Sequence, residues 1–132
     1  MAPPTATGKR RARGFTLIEL LVVMTIIGTL LSIAVPRYFH SLERSRETVL
    51  RHDLTVLRDS IDKYAADKGH YPEVLADLVT AKYVRALPVD PYTRSADAWV
   101  AVPSDDPDEP GIKDIRSGAP GNAHDGTSYA TW

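Results

Sequence analysis

The stretch Gly14-Phe15-Thr16-Leu17-Ile18-Glu19-Leu20 opens an apolar run that lasts to Val35 and is followed at once by Pro36. Across the 21 residues from Phe15 to Val35 the single charged side chain is Glu19. At about 1.5 Å per residue, a helix of this length spans about 31 Å, close to the thickness of a bilayer's hydrocarbon core. Lys9, Arg10, Arg11 and Arg13 stand immediately before it, and cations in that place keep the preceding end cytoplasmic while the rest of the chain crosses. A carboxylate at mid-membrane costs roughly 2.5–3.5 kcal/mol, and less near the interface, so Glu19 calls for a cationic partner.

Two plainer readings compete for the same segment. A secretory signal peptide would use the basic leader and Ser32-Ile33-Ala34 as a small-x-small cleavage site. Signal cores, however, run about 7–15 apolar residues, and this one is longer and carries a carboxylate. A simple single-span anchor accounts for everything except Glu19.

Composition narrows the rest. The chain of 132 residues has room for one small domain, and its ten prolines and eight glycines crowd into the second half, implying a loop-rich C-terminal portion. It has no cysteine, so disulfides and thiolate metal sites are excluded. The formal charge is −1, yet the leader holds four of the 16 Lys/Arg and none of the 17 Asp/Glu, leaving 12 against 17 in the remainder. An acidic body argues against nucleic acid as a partner, because phosphate contacts need a clustered positive field. The four histidines are scattered, and no nucleophile elbow, phosphate loop or dinucleotide fingerprint is present, so nothing points to an enzyme.

Beyond Pro36 the pattern remains helical. Leu50, Leu54, Leu57, Ile61 and Tyr64 form one apolar stripe, with Leu42 upstream of it. The opposite face carries Glu43, Arg44, Glu47, Arg51, Arg58, Asp59, Asp62 and Lys63, some spaced four apart as weak pairs on a solvated surface. Pro36 kinks one long helix at the membrane exit or divides it in two. Gly69 ends it, after Lys68 in the last turn. The pattern then predicts a short helix over 73–82, a loop over 87–92, a strand over 97–102, an acidic loop through Asp105, Asp106, Asp108 and Glu109, and a second strand over 112–116. The tail, 117–132, is rich in turn formers and ends on Trp132, an aromatic suited to anchoring it in the core. The expected fold is α+β. A long N-terminal helix, transmembrane in its hydrophobic half and amphipathic and periplasmic in the other, packs on a small antiparallel sheet of two to three strands with a short second helix.

The basic leader, Gly14 and Phe15-Thr16-Leu17-Ile18-Glu19-Leu20 together resemble the processing signal of the type IV pilin and pseudopilin superfamily. That resemblance implies a cleaved cytoplasmic leader 1–14, a transmembrane and assembly helix 15–35, its amphipathic continuation 36–69 and a periplasmic head 70–132. It implies cleavage between Gly14 and Phe15 by a prepilin peptidase that also methylates the new amino terminus. Glu19 would pair with the Phe15 amine of a neighbouring subunit, and Pro36 would be the family's helix-kinking proline. A buried ion pair is favourable only with both partners present, so assembly would depend on processing. Tyr71-Pro72, Pro88-Val89-Asp90-Pro91-Tyr92, the Trp99 strand, Asp114-Ile115-Arg116-Ser117-Gly118-Ala119 and Trp132 resemble the major pseudopilins of type II secretion, whereas type IV pilins typically close this region with a disulfide. The implied setting is the bacterial inner membrane, single-pass, with the head in the periplasm. The implied partners are other copies in a helical filament, minor pseudopilins, an inner-membrane assembly platform and the prepilin peptidase/methyltransferase. The implied function is a pseudopilus subunit whose polymerisation drives protein export across the outer membrane. A minor pseudopilin, a pilin-like subunit for adhesion, motility or DNA uptake, and a signal-anchored periplasmic binding module that never assembles are the alternatives.

The resemblance also implies one structural calcium ion in the loop after Ser117-Gly118-Ala119, held by Asp side chains and backbone carbonyls. Oxygen ligands on a flexible loop suit a hard cation. Pro120 stands where this branch usually carries Asp, which leaves Asp125 and Asn122 as the ligands; Asn122 and Asp125-Gly126 read equally well as turn formers.

Overall fold

The computed structural model describes residues 1–4, 8 and 13–132. The leader cations Lys9, Arg10 and Arg11, expected to set the topology, lie outside the described residues. The elements in order are α1 (Leu17–Lys68), α2 (Ala76–Thr80), β1 (Val100–Pro103), β2 (Ile112–Arg116) and a terminal 3₁₀ turn, Tyr129–Thr131. The chain divides into two compact units, Met1–Phe39 and His40–Trp132.

In the first unit α1 begins with a cap. The Glu19 amide donates to Thr16 Oγ1 at 3.2 Å and the Leu20 amide to the Thr16 carbonyl at 3.2 Å. Thr16-x-x-Glu19 is thus a capping-box spacing, and Thr16 Oγ1 satisfies one of the amides a helix start leaves open. The helix continues through Pro36 without a break, so the expected choice between one helix and two is decided for one. Pro36 has no N–H to give the Ser32 carbonyl one turn back.

The second unit holds the core. Leu50, Leu54, Leu57, Ile61 and Tyr64 are buried, which is the stripe the spacing predicts. Leu78 of α2, Trp99, Ile112 and Ile115 of β2, Ala119, Ala123 and Tyr129 close over them. The sheet has two antiparallel strands, pairing Val100 with Arg116, Ala101 with Ile115, Val102 with Asp114 and Pro103 with Ile112. A bulge between Val102 and Pro103 takes up the extra residue. Ile112 and Ile115 lie on its two sides, and both face the core.

The boundaries differ from expectation in two places. β1 starts at Val100 rather than at residue 97, because Trp99 turns its indole inward to donate to the Pro88 carbonyl at 2.8 Å. The second helix shrinks to Ala76–Thr80. Asp77 Oδ2 accepts from the Glu73 and Val74 amides at 3.0 and 3.1 Å, which folds residues 73–75 into a turn instead of a first helical turn. Gly69, at φ 76°, takes the left-handed position after α1, where its amide bonds to the Ala65 carbonyl at 2.9 Å. Gly118 is required for space: a Cβ there would lie 2.1 Å from the Ala98 carbonyl oxygen.

Candidate functional site

Three places carry residues with chemistry to explain: the start of α1, the C-terminal loop, and the buried carboxylate Asp90.

Phe15, Leu17, Ile18 and the large apolar side chains from Leu20 through Val35 are exposed all round the helix, with Phe15 at 87% and Leu17 at 86%. The most apolar window of α1 has none of its residues buried within the chain. A helix apolar on every side is covered by lipid or by other helices. Its hydroxyls are already satisfied on their own helix. Thr25 donates to the Leu21 carbonyl at 2.8 Å, Thr29 to that of Thr25 at 2.8 Å, and Ser32 to that of Thr29 at 2.7 Å. That is the condition hydrocarbon imposes on polar groups. Among the described residues no cation lies within ion-pair distance of Glu19. Its carboxylate accepts no hydrogen bond from the described residues. Gly14 and Phe15 precede the helix in irregular backbone, and open space surrounds Gly14.

Thr16 is the residue sequence reading missed. The Thr-x-x-Glu spacing was present as a signal, and it gives Glu19 a second reason for its position, since a carboxylate in the first turn is favoured by the helix dipole.

The C-terminal loop is gripped by α1. Glu47 Oε1 accepts from the His124 amide at 2.6 Å and from the Tyr129 hydroxyl at 3.2 Å. Tyr129 OH also lies 2.9 Å from Tyr92 OH. Burial and the tyrosine–tyrosine hydrogen bond push the Tyr92 hydroxyl well above the usual range, keeping it neutral. Arg51 Nη2 donates to Asp125 Oδ2 at 3.2 Å, and its guanidinium lies 3.8 Å over the Trp132 ring. Arg58 reaches Asp114 Oδ1 through Nε at 2.8 Å and the Ile115 carbonyl through Nη2 at 2.9 Å. Glu47, Arg51 and Arg58 are therefore bonded to the head rather than free on the helix surface, although Arg51 stays more than half exposed. They flank the apolar stripe, where side chains of their length reach over the edge of the core. The pairing seen within the helix at this level is Arg46 with Glu43 at 3.6 Å.

Asn122 forms a backbone bridge with Ser128, and the loop between them is closed by Ala123 N to Thr127 O at 2.7 Å and Gly126 N to Ala123 O at 2.9 Å. Asp125 Oδ1 accepts from the Thr127 amide at 3.0 Å and from the Thr127 hydroxyl. Those bonds, aided by Arg51, hold the Asp125 carboxyl below its ordinary range. Calcium takes six to eight oxygens, with carboxylates prominent among them. Asp125 is the single acidic residue between Ser117 and Trp132, both its oxygens are engaged, and one already carries a guanidinium. Among the described residues no three His, Asp or Glu side chains converge to hold a metal. Asp125 is thus the one carboxylate the loop could offer a calcium ion, and it is already engaged, so the side chains present do not fit a carboxylate-based calcium cage. The acidic loop is likewise occupied with itself: Asp106 Oδ1 accepts from the Asp108 amide at 2.9 Å.

Asp90 is fully buried. Its Oδ1 accepts from the Tyr92 and Thr93 amides at 2.7 and 3.2 Å, and its Oδ2 from the Ser117 hydroxyl at 3.0 Å. Ser117 Oγ in turn accepts from the Ala119 amide at 3.0 Å. Asp90 thus joins the loop before β1 to the end of β2. Asp53 of α1 stands near it, and burial, with Asp90 adding repulsion, raises the Asp53 carboxyl above its ordinary value against the opposing pull of His52.

An apolar helix start with one unmatched carboxylate, joined to a small head gripped by its own second half, is the architecture of a prepilin-like subunit. Residues 9–35 match the family described as Prokaryotic N-terminal methylation motif. The type II secretion system core protein G of Escherichia coli K12 is 34% identical, over 87% of this chain and 85% of that protein. The proteins of the same name from Klebsiella pneumoniae and Vibrio cholerae are 34% and 32% identical, each over 63% of this chain, covering 71% and 67% of those proteins. The chain belongs to the type II secretion system core protein G family. No solved structure gives a significant match.

Proposed function

We propose that the chain is the structural subunit of a type II secretion pseudopilus, made as a precursor and polymerised from the inner membrane. The observation that carries this reading is the apolar half of α1, exposed on every side and holding one carboxylate that has no ion-pair partner among the described residues. Hydrocarbon covers such a surface before assembly, and the same segments of neighbouring copies cover it afterwards.

In this account the peptidase cuts the accessible bond between Gly14 and Phe15, with the leader cytoplasmic and the head periplasmic. The cut removes the leader cations and creates an α-amine, methylated on Phe15, one residue before the Thr16 cap. Glu19 then meets the amine of an adjacent subunit. The pair is formed in an apolar helix bundle, where either charge alone is costly, so an unprocessed or misaligned subunit is rejected. Pro36 leaves the Ser32 carbonyl without its amide and gives α1 a point at which it can bend during packing. The head supplies the outer surface of the filament and its contacts with minor pseudopilins and the assembly platform. Its role is mechanical, and the energy for polymerisation comes from a nucleotide-hydrolysing component elsewhere in the machine.

The test is Glu19→Ala in a strain lacking the native gene. The variant is expected to insert in the membrane at wild-type level, to drop out of the sheared filament fraction, and to fail to restore export of secreted proteins. Wild-type filament yield from Glu19→Ala removes the pairing role. Normal export in the deletion strain, with loss of twitching or DNA uptake, assigns the chain to a type IV pilus instead.

A further inference from the structure

We infer that Arg51 is the built-in cation of the C-terminal loop: the guanidinium closes segment 122–128 onto α1, and the head folds and holds that loop without a divalent metal. Asp125 is the loop's only acid, and its Oδ2 lies 3.2 Å from Arg51 Nη2 while Oδ1 binds the Thr127 amide at 3.0 Å and the Thr127 hydroxyl. A metal drawn to Asp125 would have to displace a fixed positive charge. It would find no second carboxylate in the loop, Pro120 offering neither a side-chain oxygen nor an amide.

The guanidinium is itself held in place. Its face lies 3.8 Å over the Trp132 ring, and the Trp132 indole donates to Thr127 Oγ1 at 2.8 Å, the hydroxyl that bonds Asp125. Arg51, Asp125, Thr127 and Trp132 thus form a closed circuit between the middle of α1 and the last residue of the chain. Planar stacking on an indole with a lateral bond to a carboxylate is a geometry arginine can make and lysine cannot. One turn earlier on α1, Glu47 binds the His124 amide at 2.6 Å, so the loop is fastened at two successive turns of the same helix. Both side chains of the ion pair are more than half exposed. The latch therefore orders the loop rather than adding much to global stability, and local opening is the property to measure.

The experiment uses the full chain in detergent micelles. Wild type is melted in excess chelator and in millimolar calcium, and hydrogen exchange is followed at the amides of Ala123, Gly126 and Thr127. The two melting curves are expected to coincide, because a ligand that binds only the folded state raises the melting temperature with concentration. Arg51→Gln and Arg51→Lys are expected to raise exchange at those three amides by about tenfold or more, with the Leu54 and Ile115 amides unchanged. Conversely, a calcium-dependent rise in the wild-type melting temperature overturns the proposal, as does wild-type loop protection in Arg51→Gln. If Arg51→Gln is too unstable to purify, Arg51→Lys supplies the exchange comparison, and wild-type loop protection in it overturns the proposal.

Discussion

Asp90→Ala is the sharpest probe of how the head is held together. The substitution leaves three donors facing an apolar methyl: the Tyr92 amide, the Thr93 amide and the Ser117 hydroxyl, now 2.7, 3.2 and 3.0 Å from carboxylate oxygens. A buried donor without a partner costs about 1–3 kcal/mol. Against that stands relief of the burden of burying a carboxylate, which offsets part of the loss, so a net of about 2–4 kcal/mol follows. In a domain of this size 1 kcal/mol moves the melting temperature by roughly 4–8 °C, which puts the expected fall at about 8–32 °C. Near-ultraviolet circular dichroism reads the transition through Trp99, whose indole is bonded to the Pro88 carbonyl in the adjoining loop. Asp90→Asn keeps one acceptor oxygen and is expected to lose less, and Asp105→Ala, on the exposed acidic loop, is expected to melt with wild type. A fall of under about 3 °C for Asp90→Ala would refute the claim that this carboxylate ties the loop before β1 to the end of β2.

Two further substitutions test neighbouring parts of the same reasoning. Gly118→Ala places a Cβ 2.1 Å from the Ala98 carbonyl oxygen, so the strand end must move away from its neighbour; a loss of about 1–3 kcal/mol in urea unfolding is expected, and wild-type stability contradicts it. Asp53, whose carboxyl is raised by burial and by Asp90, acts with the opposite sign. A raised folded-state value means that the neutral acid suits the fold, so the charge destabilises at neutral pH and the penalty fades as pH falls through the raised value. Asp53→Asn is therefore expected to melt above wild type at pH 7, with the difference closing toward pH 4. A gain that stays constant across that range, or a loss at pH 7, argues against the assignment.

The parts of this fold that were legible in advance are those written in a single element's spacing. The stripe from Leu50 to Tyr64 has helical periodicity, and its burial follows from that alone. The membrane-length run is a local signal of the same kind, whereas Ile112 and Ile115, three residues apart, share the core face only because of the bulge between them. What the sequence hid was the partnership of charges. Arg58 with Asp114 and Arg51 with Asp125 join residues 56 and 74 positions apart, and charge pairing along a helix says nothing about acids that a later strand or loop will bring close. Glu47 looked like a helix-surface acid because its partners, a backbone amide and a tyrosine hydroxyl, carry no charge to suggest them. Asp77 shows a smaller failure of the same sort. Its carboxylate binds the amides of residues 73 and 74, and so shortens from the front a helix expected to begin at residue 73. At the other end, Thr16-x-x-Glu19 was readable and was overshadowed by the rarity of a carboxylate in an apolar run.

The capping geometry bears directly on the central claim. A cut between Gly14 and Phe15 leaves Thr16 and the whole of α1 intact, while placing a new amine beside the first turn. Intact-mass and N-terminal fragment analysis of the membrane-bound protein tests this most directly. The account predicts a chain that begins at Phe15 and carries one methyl group on its amine. A membrane form that retains Met1, or a soluble form that begins at Val35, would contradict it.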